Sequence, residues 1–191
     1  MGIYNQNISF WHEDLKKLAI NLVIDENLWA YDEQNGIFNH GKDMEELNIP
    51  QKFKIISNVG LEILTKSVCI KRNIDIFKEQ SYSVKQYSPF GVAGVIAPQN
   101  PWLESIIQKY KYTHMGEINT VEFFHCLNKL KKNLEQTEGN KKYNNLIDEV
   151  DRWRKFHRNT EVHLSLPLMF TSEYETRLRK LYNALLEIYK L

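Results

Sequence analysis

Apolar residues recur at intervals of three and four along most of the chain, the spacing that places them on one face of an α-helix. Six stretches carry this pattern, and polar connectors or proline and glycine residues separate them. Each stretch has an apolar face that can pack against its neighbours, so the pattern predicts a helical bundle. The predicted helices begin at residues 9–12, 50, 101, 119, 141 and 172 and end near residues 30, 67, 110, 138, 163–165 and 188.

An irregular segment separates the second predicted helix from the third. Between residues 80 and 101, prolines and glycines interrupt a mostly apolar run. Gly91 and Gly94 do not follow the strand-to-helix pattern of a dinucleotide-binding loop, which argues against a nucleotide cradle. The apolar residues of this loop either pack against the bundle or form part of a dimer surface, and the sequence favours neither. The predicted fold class is therefore all-α, a bundle of about five to six helices with an irregular loop around 80–101.

Gly60 stands inside the second predicted helix. A glycine at such a position costs roughly 1 kcal/mol relative to alanine, so its presence suggests a packing reason. We expect another helix to approach the backbone closely at this point.

Length and composition indicate one domain. A chain of 191 residues, of which 42% are hydrophobic, can bury a proper core. Charge is unevenly distributed, because residues 1–50 contain three lysines and nine acidic residues, a net charge of −6, and the rest of the chain carries +7. Such polarity is commonly a pair of solvated faces. It also suits a chain that offers one face to phosphates and another to a basic partner.

The sequence shows no targeting signal, membrane segment or cofactor motif. Its first residues lack a basic region followed by an apolar run, so a cytoplasmic location is expected, with no membrane partner. Cys69 and Cys126 are isolated, which predicts buried free thiols. The six histidines include no H-E-x-x-H pair, so neither a metal site nor any other cofactor is expected.

One segment concentrates the candidate chemistry. Residues 148–163, DEVDRWRKFHRNTEVH, contain three of the six arginines and two of the six histidines. Within it, Arg158 is followed by the polar Asn159 and, after four intervening residues, by His163. Arg152 and His157 have the same spacing, but the next residue is the apolar Trp153. Arg158 and His163, with Asn159 between them, are therefore taken as the candidate site.

The string Arg158-Asn159-x3-His163 resembles the signature of HEPN domains, which are small all-helical modules with a metal-independent ribonuclease site. The resemblance implies that residues 1–191 form a single HEPN-like domain and that its partner is RNA. It also implies a homodimer in which two motifs meet to form a composite active site. At 100° per residue, Arg158 and His163 lie about 140° apart on a helix. The two side chains of one motif therefore do not easily reach the same phosphate.

The resemblance assigns the catalytic roles to Arg158, Asn159 and His163. A histidine with its ordinary pKa near 6.5 can act as general base or acid near neutral pH. Arginine holds two phosphate oxygens in a fork, and asparagine orients the histidine or the phosphate. The expected products are a 2′,3′-cyclic phosphate and a 5′-hydroxyl. Arg154, one turn before Arg158, is the candidate for a contact with the RNA backbone, and His157 is expected to be a core or rim histidine.

Two functions remain open at this point. The first is an endoribonuclease that acts as a toxin or as an effector of antiviral defence. The second is a non-catalytic helical module that uses the same surface to bind a nucleotide or a protein. For either function, the acidic residues 1–50 offer a surface to an antitoxin or regulatory protein.

Overall fold

The computed structural model describes residues 11–24, 29–40, 51–79, 101–112, 119–137, 141–158 and 173–191. Helices dominate these residues, which confirms the all-α fold class and the expected number of helices. A π-helical turn, Arg154–Arg158, continues directly from the fifth helix. The described elements are α1 (Trp11–Val23), β1 (Trp29–Asp32), β2 (Ile37–His40), α2 (Gln51–Lys71), β3 (Phe77–Lys78), α3 (Pro101–Tyr110), β4 (Asn119–Thr120), α4 (Phe123–Thr137), α5 (Lys141–Trp153) and α6 (Tyr174–Lys190).

Helix α2 lies at the centre of the bundle. It packs against α1, α4, α6 and the π-helical turn, while α5 packs against both α4 and α6. Buried side chains from all six helices and from three of the four strands form one continuous core. Among the described residues, none of the helices combines the length and apolar character that crossing a membrane requires.

Gly60 marks the closest approach of three helices. A Cβ atom at this position would overlap the hydroxyl of Tyr182 in α6 and would lie 3.3 Å from the carbonyl oxygen of Ala19 in α1. Tyr182 is fully buried and donates a 2.6 Å hydrogen bond to the carbonyl oxygen of Ser57. The expectation that this glycine allows close packing is confirmed.

The first helix is shorter than the sequence predicts. It ends at Val23, and Trp29 begins a strand that pairs antiparallel with β2. The reason is tertiary, because Trp29 and Phe38 of this hairpin bury their rings against Tyr182, with centroids 5.1 Å and 5.5 Å away. Asn183 fixes the hairpin on α6 by accepting from the backbone N–H of Phe38 at 2.7 Å and donating to its carbonyl oxygen at 2.9 Å.

The dipeptide Asn35-Gly36 predicts a turn from the sequence, and it lies in the turn of this hairpin. The carboxylate of Asp32 accepts the backbone N–H groups of Gln34 and Asn35 at 2.9 Å and 3.0 Å. Gly36 adopts a φ of +62°, a conformation that glycine tolerates best. The predicted turn is therefore confirmed, although it joins two strands and not the end of a helix to a connector.

A second, shorter pair of strands corrects the predicted start of α4. The sequence places Asn119 at the helix N-terminus, whereas Asn119 belongs to β4, which pairs antiparallel with β3. The helix begins at Phe123. Asn119 pairs through its backbone with β3, so it does not begin the helix as the sequence predicts. Helix α3 begins at Pro101, as predicted, and the rest of the irregular loop expected around 80–101 lies outside the described residues.

Candidate functional site

Helix α5 leads into the π-helical turn that ends at Arg158, and an apolar stripe fixes this helix in the bundle. Apolar residues at intervals of three and four predict this stripe from the sequence; four of them are buried, and Leu146 is partly buried beside them. These residues pack against α4 and α6, which leaves the opposite face of α5 exposed. The buried residues of the stripe are Tyr143, Ile147, Val150 and Trp153.

A π-helical turn follows α5 and changes the helical register between Trp153 and Arg158, the first residue of the motif. Hydrogen bonds in such a turn span five residues and widen it, and turns of this type are frequent at functional sites. The rings of Trp153 and His157 lie 4.1 Å apart, and His157 also meets Tyr174 edge-on at 5.1 Å. His157 thus packs at the rim of the core, as the sequence suggests.

A buried asparagine anchors this turn to the centre of the bundle. The indole N–H of Trp153 donates a 2.9 Å hydrogen bond to Oδ1 of Asn58 in α2. The Nδ2 atom of Asn58 lies 3.2 Å from the hydroxyl of Tyr174 in α6 and donates to the carbonyl oxygen of Lys54 at 2.8 Å. Asn58 is fully buried. A single side chain therefore links α2, α5 and α6 next to the π-helical turn.

Replacing Asn58 by alanine should loosen the end of α5. The change leaves the indole N–H of Trp153 buried without this acceptor, which is expected to lower the free energy of unfolding by about 2 kcal/mol. Hydrogen exchange should also accelerate at the amides of residues 150–158 more than in α1. Asn39→Ala in β2 is the control, because Asn39 is exposed. Unchanged exchange at residues 150–158 would contradict the proposed anchoring.

Asp151 binds two of the basic side chains beside the motif. Its carboxylate accepts from Nη2 of Arg154 at 2.7 Å and from Nζ of Lys155 at 2.8 Å. The second contact confirms the i,i+4 ion pair that the spacing of Asp151 and Lys155 predicts. Burial opposes ionisation of Asp151, but the hydrogen bonds from Lys155 and Arg154 outweigh it and lower the carboxyl pKa. The stabilisation is present above the unfolded-state pKa and is lost as the pH falls through the lowered value.

Two aromatic side chains close to these charges are exposed. Phe156, in the π-helical turn, is 62% exposed, and Phe124, in the first turn of α4, is 39% exposed. The guanidinium carbon of Arg154 lies 5.2 Å from the centre of the Phe124 ring, within the range of a cation–π contact. The sequence indicates the cations of this region but gives no sign of the aromatic neighbour from α4.

The predicted catalytic residues are only partly covered by the structure. The backbone of Arg158 ends the π-helical turn, while its side chain, together with Asn159 and His163, lies outside the described residues. Their convergence on one phosphate stays a prediction. Arg154, the predicted RNA contact, lies on the same turn with its guanidinium between Asp151 and Phe124.

Comparison with known proteins gives no relative. Neither a protein-family model nor a curated protein nor a solved structure matches this chain. Support for a function therefore comes from the residues of the chain itself.

Metal ligands and cysteine thiols are the other chemical groups of interest in the described part of the chain. Within that part, no group of three histidine, cysteine, aspartate or glutamate side chains is arranged to hold a metal ion. Cys69 and Cys126 are buried free thiols, as predicted. Burial raises the pKa of both, that of Cys126 to about 11, so neither forms a thiolate readily near neutral pH.

Proposed function

We propose that the chain is a metal-independent endoribonuclease of the HEPN type, which acts as a homodimer with a composite site. It cleaves RNA through the ribose 2′-hydroxyl, in the role of a toxin or an antiviral-defence effector. Arg158, Asn159 and His163 carry the reaction, and Arg154 contacts the RNA backbone.

The position of the Arg158 backbone, at the end of the π-helical turn, is the observation that supports this proposal. Arg158 ends a π-helical turn that packs its core side against Trp153 and Tyr174 and exposes its outer side. A catalytic group needs this combination, because its backbone must be held firmly while the substrate approaches from solvent. The helical bundle supports the same reading, since HEPN domains are all-helical.

The local charge also suits a phosphate substrate. Residues 152–158 contain three arginines and one lysine and no acidic residue. Asp151, just before them, is shared by Arg154 and Lys155, so this group of three side chains keeps a net positive charge. Positive charge of this kind attracts the RNA backbone and offsets the charge that develops on the phosphorane.

In the proposed reaction, the 2′-oxygen attacks the adjacent phosphorus and the 5′-oxygen leaves. A histidine takes the proton of the 2′-hydroxyl, and a second proton goes to the departing oxygen. Two copies of His163, one from each subunit, supply a base and an acid. Arg158 holds the non-bridging oxygens as their charge increases, and Asn159 orients His163 or the phosphate.

Cleavage of a mixed RNA pool in EDTA tests this proposal. The wild-type protein should release products with 2′,3′-cyclic phosphate ends and leave DNA intact. Arg158→Ala and His163→Ala should each lower the cleavage rate by about 100-fold, the usual effect of removing a general acid–base or a charge-stabilising group. Arg177→Ala is the matched control, because Arg177 is an exposed arginine of α6 that pairs with Glu173.

Arg152→Ala distinguishes the pair Arg158 and His163 from the pair Arg152 and His157, which has the same spacing. A rate close to wild type is expected, whereas a 100-fold loss would move the site to Arg152 and His157. Light scattering should give twice the 22.7 kDa mass of one chain. A folded, dimeric wild-type protein that does not cleave RNA would contradict the ribonuclease and favour the non-catalytic binding module.

A further inference from the structure

The outer surface of the π-helical turn combines exposed aromatic and basic side chains. We call Phe124, Arg154, Lys155 and Phe156 the aromatic–basic ridge. Lys155 and Phe156 are its exposed part, whereas only 14% of the Arg154 side chain is exposed. Phe156 is the most exposed large apolar side chain in the described part of the chain, at 62%, and Lys155 beside it is also exposed. Single exposed apolar residues are common on proteins, so the side chains around Phe156 decide whether it belongs to a binding surface.

Packing of the turn determines which residues form the ridge. Trp153 and His157 stack on one another and contact Tyr174, so this side of the turn faces the core. The three residues between them therefore occupy the sides and the outer surface of the turn. Arg154 extends toward Phe124 of α4, which adds the second aromatic ring to the ridge.

Charge identifies the class of ligand that this surface suits. Both cations of the ridge share the single carboxylate of Asp151, and Arg152 adds an exposed cation on the preceding turn. An apolar protein partner would have to desolvate these charges, which is costly. A single-stranded nucleic acid matches both features, because its bases stack on aromatic rings and its phosphates pair with cations.

We propose that the aromatic–basic ridge binds single-stranded RNA, with an unpaired base stacked on Phe156 and a backbone phosphate held by Lys155. This inference rests on the proposed ribonuclease and names its substrate class. Double-stranded RNA is a poor ligand because its bases are already stacked inside the helix.

Direct binding in the absence of cleavage tests the ridge. The probe is a fluorescein-labelled 12-nucleotide single-stranded RNA, and anisotropy is measured in EDTA with the His163→Ala protein. Phe156→Ala in this background should weaken binding about tenfold, as expected for one lost stacking contact, while Phe156→Tyr should retain most of the affinity. Leu18→Ala is the matched control, since Leu18 is a 47% exposed apolar residue of α1. The same RNA annealed to its complement should bind at least tenfold more weakly than the single strand.

Several outcomes would overturn the ridge as an RNA surface. An unchanged Kd for Phe156→Ala, or equal affinity for the single strand and the duplex, would do so. A dimer that dissociates on Phe156→Ala would assign the ridge to the interface between subunits. A fall of several degrees in thermal stability would assign Phe156 to the fold, whereas its exposure predicts almost no change.

The binding assay also separates this inference from the ribonuclease. If the wild-type protein does not cleave RNA but Phe156 still governs single-strand binding, the ridge stands and the catalytic proposal fails. If the wild type cleaves RNA with the same KM as Phe156→Ala, the ribonuclease stands and the ridge fails.

Discussion

Replacing Glu175 by alanine is expected to lower the free energy of unfolding by about 3–5 kcal/mol, the range for removing one partner of a buried ion pair. Glu175 is fully buried in the first turn of α6. Its Oε1 atom accepts from the indole N–H of Trp29 at 2.7 Å and from Nε of Arg179 at 2.8 Å. Alanine leaves the buried indole N–H without this acceptor and removes the charge that Arg179 faces. Thermal denaturation should show a Tm lower by roughly 10 °C.

Two further variants separate the parts of this effect. Glu175→Gln keeps an acceptor for Trp29 but removes the negative charge, so it should cause a smaller loss than alanine. Glu173→Ala is the control, because Glu173 pairs with Arg177 and both side chains are about two-thirds exposed. That change should alter stability by less than about 0.5 kcal/mol. A Tm shift below 2 °C for Glu175→Ala would show that the hairpin is not held to α6 through this carboxylate.

Gly60→Ala is expected to destabilise the bundle by about 3 kcal/mol, although alanine is the better helix former by roughly 1 kcal/mol. The added methyl group overlaps the Tyr182 hydroxyl, and this hydroxyl cannot move away without losing its hydrogen bond to the Ser57 carbonyl oxygen. The backbone of α1 is also close, because the Ala19 carbonyl oxygen would lie 3.3 Å from the added methyl carbon. Urea denaturation of the variant and the wild type measures the difference.

A double-mutant cycle identifies the atom responsible. Tyr182→Phe removes the oxygen that alanine would overlap, so Gly60→Ala should cost clearly less in that background than in the wild type. The neighbouring Val59→Ala is the control, because Val59 is 39% exposed on the same helix. Equal costs in the two backgrounds would place the strain against α1.

The helical layout was predictable because it is encoded locally. Stripes of apolar residues identified the helices, although the first ends at Val23 and not near residue 30, and Gly60 indicated a close helix contact before its partner was known. The N-terminal hairpin was missed because its strands have four residues each, too short for a clear alternation. Trp29 lies in a strand because Tyr182 and Glu175 receive its ring and its N–H, and these partners are about 150 residues away in sequence.

The candidate site also combines features that are local in the sequence with contacts between distant segments. The motif and the pair formed by Asp151 and Lys155 are local patterns, so they can be read from the sequence. The contact between Arg154 and Phe124, and the anchoring of Trp153 by Asn58, depend on which helices become neighbours. A pattern along one helix carries no information about them. The catalytic arrangement of Arg158, Asn159 and His163 stays a prediction.

The anchor beneath the π-helical turn has a consequence for the order in which the protein matures during synthesis. Its three parts come from α2, α5 and α6, and Tyr174 is the last of them to leave the ribosome. Nascent chains emerge at about 5–20 residues per second and fold as their segments become available. The turn therefore obtains its full set of contacts only when α6 has been translated. An incomplete chain therefore contains the π-helical turn without the contacts that α6 provides, and this part of the bundle reaches its final packing late in synthesis.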